Sequence, residues 1–172
     1  ELTAADFIGD VTARTGIEGL EAIDNIRLIL CPDLMTGYDD DPDKAKEKIK
    51  LVQNKMVASC DKLKYRFAIL DMPPHLNAQE ALNWRKEINI DSEYAAMYYP
   101  WVEVADLSES PQTKKFMPPS GHVVGIYNRV DSQVGFHKAP ANEVLLGVND
   151  LQINLTKAEQ GVLNPEGINC IR

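Results

Sequence analysis

Apolar side chains return every third or fourth position over residues 42–64, and this is the clearest helical signal in the chain. Ala45, Ile49, Val52, Met56, Cys60 and Leu63 form one stripe, while Lys44, Lys48, Lys55 and Asp61 occupy the opposite side, as a helix with one face on a core requires. Pro42 suits the first turn. Asp39, Asp40, Asp41 and Asp43 crowd the N-terminal end, and Lys62, Lys64 and Arg66 crowd the C-terminal end, so both charge sets complement the helix dipole. Unbroken apolar runs flank this helix at residues 26–31 and 67–70, the second ending at Asp71. Short continuous runs of this kind predict strands covered on both faces, and the order strand, helix, strand predicts a right-handed crossover between parallel neighbours.

The remaining segments extend the same alternation. Thr3 and Asp6 stand at capping-box spacing ahead of Phe7 and Ile8, and Ile17, Leu20 and Ile23 lie three apart, so residues 1–24 read as a helical lead-in. Asn77 is a candidate N-cap for a helix over residues 78–89 with Ala81, Leu82, Trp84 and Ile88 on its apolar side. A third strand is expected over residues 94–104, broken or bulged at Pro100, and residues 108–116 read as an exposed loop. A helix headed by Ser120 carries Val123, Val124, Ile126, Tyr127 and Val130, followed by an irregular stretch around Pro140. Leu151, Ile153 and Leu155 alternate with polar residues as a half-buried strand would, and Thr156 with Glu159 forms a capping box for a helix that Asn164, Pro165 and Gly167 end. Residues 168–172 read as a last strand. The fold class expected is α/β, layered, with a largely parallel sheet and helices on both faces, in a single domain over residues 1–172.

Composition narrows the function. A hydrophobic share of 44% and a charged share of 26% are those of a globular chain, long enough at 172 residues to bury a sizeable core. The net charge of -8 argues against nucleic acid and against an anionic membrane surface, since phosphate recognition needs clustered basic residues. No apolar run reaches the roughly 20 residues that span a bilayer, so the chain reads as soluble and unexported. Cys31, Cys60 and Cys170 form no CxxC pair and sit in apolar segments, which fits buried thiols better than a disulfide frame. His75, His122 and His137 lack the spacing that places two imidazoles on one metal. The acidic run at residues 39–43 fails as a calcium loop because the sixth position lacks glycine and the twelfth is Lys50. Gly121 and Gly125 lack the spacing and the lysine of a phosphate loop. No cofactor or metal is expected.

One enzymatic reading stands out: Ser120 as nucleophile, His122 or His75 as base and Asp71 as orienting acid at the carboxyl end of a strand, where open α/β sheets gather their functional groups. Against it, Ser120 and His122 are two apart on one helix and point to different sides, and no GxSxG elbow exposes the hydroxyl. N-capping is the stronger role for Ser120. A serine hydrolase using Ser120 is therefore the alternative reading.

Five separated stretches, AAMYYPWVEVAD at residues 95–106, PPSGHVVGIYNRVD at 118–131, GFHKAPANEVLLGV at 135–148, LNPEGINCIR at 163–172 and ADFIGDVTARTGIEGLEAID at 5–24, resemble the contractile tail sheath family nearly end to end. The resemblance implies a subtilisin-like sheath domain without catalysis. It implies a structural subunit of a phage tail or phage-like injection machine that polymerises helically around an inner tube and contracts. The partners implied are other sheath subunits and the inner tail tube protein, in a virion tail or phage-like particle assembled in the bacterial cytoplasm. Members carry an extended N-terminal arm and a further C-terminal domain, so this chain is expected to be a fragment lacking both. Trp101 and Phe136 adjoin Pro100 and Gly135, where the chain leaves regular structure and a large ring can face a neighbour. With His137 and Lys138 they are the candidate inter-subunit contacts.

Overall fold

The computed structural model describes residues 2–106, 108, 113–135 and 137–172. Its centre is a parallel sheet in the order β1 (Leu28–Ile29), β2 (Phe67–Asp71), β3 (Ala95–Tyr99), β7 (Ile168–Cys170). A second, antiparallel sheet in the order β5 (Lys114–Met117), β4 (Val102–Ala105), β6 (Asp150–Leu151) adjoins it. The helices are α1 (Ala4–Ile8), α2 (Gly16–Gly19), α3 (Pro42–Leu63), α4 (Ala78–Ile88), α5 (Ser120–Gln133) and α6 (Lys157–Leu163), with short 3-10 turns at Leu20–Ala22, Pro32–Met35 and Asn164–Glu166. The expected mixed α/β class holds.

Strand alternation sorts the two layers of cover. Ala68 and Leu70 of β2, with Met97 and Tyr99 of β3, join Ile49, Val52 and Met56 of α3 and Ala81 and Trp84 of α4 in one continuous core. The intervening residues Phe67, Ile69 and Asp71 point to the other face. There Phe67 meets the Tyr127 ring of α5, with centroids 6.0 Å apart, and the hydroxyls of Tyr98 and Tyr127 are 3.2 Å apart. Helices thus cover both faces, α3 and α4 on one and α5 on the other.

Local signals set the helix ends. Asp41 accepts from the Lys44 N–H with Pro42 in the first turn, and Lys64 closes α3 in the left-handed conformation. Capping boxes start α1, α4 and α6 at Thr3, Asn77 and Thr156. In the lead-in, Gly9 takes a φ of 69°, and a Cβ there would stand 2.0 Å from the Thr15 carbonyl oxygen, which the Asp10–Thr15 bridge brings close.

The strands depart from expectation more than the helices do. Of residues 26–31, only Leu28–Ile29 pair, because β1 is an edge with β2 as its sole neighbour and Pro32 turns the chain away. Residues 94–104 split at Pro100, after a cis Tyr99–Pro100 bond, and the second half changes sheets. Part of the expected loop at residues 108–116 is strand, since Lys114–Met117 pair with β4. The alternation at Leu151, Ile153 and Leu155 yields only Asp150–Leu151, and the last strand stops at Cys170.

Candidate functional site

The carboxyl end of β2 carries Asp71, 2% exposed, directly in front of the first turn of α5. Its Oδ1 accepts the Ser120 backbone N–H at 2.9 Å. That bond corrects the expected role of Ser120: it is the first helical residue, preceded by Pro119, and its own side chain caps nothing. The two prolines supply no N–H, so an acid 49 residues earlier in sequence takes over the capping of α5. Ser120 is 0% exposed, and its hydroxyl has no well-formed hydrogen bond. Burial pushes the Asp71 carboxyl up to about 7, against the smaller opposing pull of the Ser120 hydroxyl and N–H close by. On the other side, Gln53 donates its amide to the Asp71 carbonyl oxygen at 2.7 Å.

A triad does not assemble here. Ser120 and Asp71 meet, but through the serine backbone. Burial pulls the His122 pKa down, and its Nδ1 is enclosed without a partner. His75 is held elsewhere: its N–H donates to Gln152 Oε1 at 2.9 Å, its Nδ1 lies 3.1 Å from Gln152 Nε2, and its Nε2 lies 3.4 Å from Asp39 Oδ1. No hydrogen bond among the described residues joins either histidine to Ser120 or Asp71. In this arrangement the Ser120 hydroxyl is sealed from solvent, and no described histidine is hydrogen-bonded to it.

The open surface lies on the α5 side of the sheet. Here α5, β3, β7 and residues 139–151 bound a groove of about 1090 Å³, with Tyr98, Tyr127 and Ile168 among its walls. Val144 and Leu146 are 72% and 69% exposed. Glu143 straps this segment to the helix: it accepts Lys138 Nζ at 2.6 Å and lies 3.5 Å from Arg129 Nη2, which also donates to the Val144 carbonyl at 2.8 Å. Lys138 and His137 are therefore on an exposed, tethered segment. Trp101 is half-buried and spends its indole N–H internally, while Phe136 lies outside the described residues.

Buried polar residues, Gln53 and Arg66 among them, escaped the sequence reading. Gln53 sits on the apolar stripe of α3, between Val52 and Met56, and a polar residue in such a stripe is the trace it left. Arg66 is 2% exposed and donates through Nη2 to the carbonyls of Leu20 and Ile23 at 2.6 and 2.5 Å. Its place beside the Phe67 strand start was the only hint. Among the described residues no group of histidines, cysteines and acids could hold a metal ion, and no helix is long and apolar enough to cross a membrane.

Comparison with known proteins completes the site's context. Residues 9–172 match the family model described as the phage tail sheath protein central domain. The tail sheath protein of Burkholderia phage BcepMu is 24% identical over 190 residues, covering 99% of this chain and 37% of that protein. Among solved structures, the helical sheath of the anti-feeding prophage in its contracted state is 31% identical, covering 90% of this chain and 39% of that one, with a TM-score of 0.60. The contracted sheath complex of the extracellular contractile injection system PVC is 32% identical, covering 68% and 33%, with a TM-score of 0.55. This chain spans well under half the length of these relatives. With a family model matching all but its first eight residues, and the same mixed α/β architecture as two sheath structures, the chain belongs to the phage tail sheath protein family, in its central domain.

Proposed function

We propose that this chain is the rigid central part of a sheath subunit, which stacks with copies of itself into a helical sleeve around an inner tube and carries force when the sleeve contracts. The observation behind this reading is the match to a contracted helical sheath across 90% of the chain. The fold suits the role, because a parallel sheet covered on both faces resists deformation, so contraction is a change in how units pack. A contact between two different faces of one subunit repeats without closing and gives a helix. Trp101, Phe136, His137 and Lys138 are proposed contacts, the last two on the strapped segment beside the groove. The chain is proposed to catalyse nothing, to need no cofactor and to bind neither nucleic acid nor membrane. Its place is a virion tail or phage-like particle, assembled in the bacterial cytoplasm. The test is electron microscopy of a sheath protein containing this domain: striated sleeves are expected, and a parent that stays dispersed under polymerising conditions overturns the reading.

A further inference from the structure

Among the described residues Asp71 is the one acid the fold buries, and its carboxyl meets the uncharged first turn of α5. On β3, Tyr98 stands beside it in register. From α5 come the Ser120 N–H at 2.9 Å and the Ser120 hydroxyl. Beyond β1 the Cys31 thiol lies close enough to feel the carboxylate, and from α3 the Gln53 amide reaches the Asp71 carbonyl, not the carboxyl. Among the described residues, no cation contributes to the field on this carboxyl.

The two protonation states fit the site unequally. A carboxylate can only accept, and its negative charge sits in low dielectric with the α5 dipole as its main support. The Ser120 N–H and hydroxyl favour the carboxylate, but burial outweighs them; a neutral carboxyl still keeps an oxygen for the Ser120 N–H and gains an O–H that the Ser120 hydroxyl oxygen, without a well-formed partner, can accept. The helix held by this contact carries Val123, Ile126 and Tyr127, which form a wall of the groove.

We propose that Asp71 is a proton-operated latch: in its neutral form it seats the N-terminus of α5 on the parallel sheet, and ionisation loosens that helix and the groove wall it forms. The inference does not depend on the sheath reading. Its sign follows from linkage. A carboxyl raised from its ordinary 3.8 to about 7 favours the closed packing fully at pH below the ordinary value, and that favour is lost as pH rises to the folded value.

The test is an NMR titration of the Asp71 carboxyl carbon in the 172-residue chain, together with hydrogen exchange of the α5 amides. A carboxyl midpoint above about 6 supports the latch, and any lower midpoint overturns it. After correction for intrinsic exchange, α5 opening should rise by up to about tenfold per pH unit between about 4 and 7 and then level off, the limit set by one proton. Asp71→Asn should abolish that slope, since the amide keeps the acceptor and supplies a donor without titrating. A flat wild-type profile, or an unchanged slope in Asp71→Asn, overturns the proposal. Should that variant fail to fold, the wild-type carboxyl titration decides alone.

Discussion

Trp101 donates its indole N–H to the carbonyl oxygen of Met72 at 2.8 Å, fastening the start of β4 to the chain leaving β2. Met72 is 0% exposed, so its carbonyl has little access to any other donor. The bond crosses the junction of the parallel and antiparallel sheets. Trp101→Phe keeps an aromatic ring, trims the half-buried indole and removes the donor. It should cost about 1–2 kcal/mol in urea unfolding, the worth of one hydrogen bond plus the stranded carbonyl. An unchanged midpoint would mean that the junction is held by packing alone.

Arg66 fixes the N-terminal lead-in to the core through the carbonyls at the end of the Leu20–Ala22 turn, with no acidic partner among the described residues. Arg66→Ala strips both carbonyls of their donor and leaves a hole beneath the lead-in. A loss of about 2–4 kcal/mol is expected, with hydrogen exchange rising first at residues 16–23. Uniform loss of protection across the chain would show that the lead-in is part of the global folding unit.

Glu21 reinforces the same attachment from the other side. Its Oε2 accepts Lys62 Nζ at 2.7 Å and its Oε1 accepts Ser59 Oγ at 3.1 Å, and the Lys62 contact is the main cause of a pKa held below the ordinary carboxylate value. A depressed acid stabilises the fold above its unfolded pKa and loses that contribution as pH falls through the folded value. Glu21→Gln should therefore cost about 1 kcal/mol at pH 7 and much less near pH 3, measured by thermal unfolding at both. Equal costs at the two pH values would rule out a charge effect.

Ser120→Ala separates the structural reading from the enzymatic one. The hydroxyl is buried and the Asp71 carboxyl is its one neighbour of note, so its removal should cost about 1 kcal/mol. A fluorophosphonate probe should leave the wild-type chain unlabelled. Labelling that disappears in Ser120→Ala would reinstate the hydrolase.

Periodicity and capping were legible because they are decided within about four residues of chain. The α3 stripe from Ala45 to Cys60, the capping boxes at Thr3, Asn77 and Thr156 and the acidic start at Asp41 all occupy their expected places. Strand extent was not legible. An apolar run reads the same whether one neighbour pairs with it or two, so nothing in residues 26–31 announced that β1 would be an edge of two residues. The site shows the same division: placing Asp71 and Ser120 on one rim was open to sequence reasoning, but the backbone bond between them was not.

The sequence by itself determined which segments are helical, where α1, α4 and α6 are capped, that the central sheet is parallel, and through five separated stretches which family the chain belongs to. Tertiary structure alone decided that β4 leaves the first sheet at Pro100, that Asp71 caps α5 from 49 residues away, and that the groove opens beside residues 139–151. The reason is range. Turns and caps are fixed by near neighbours, whereas the burial of Asp71, and with it the state of its proton, depends on which distant elements close over it.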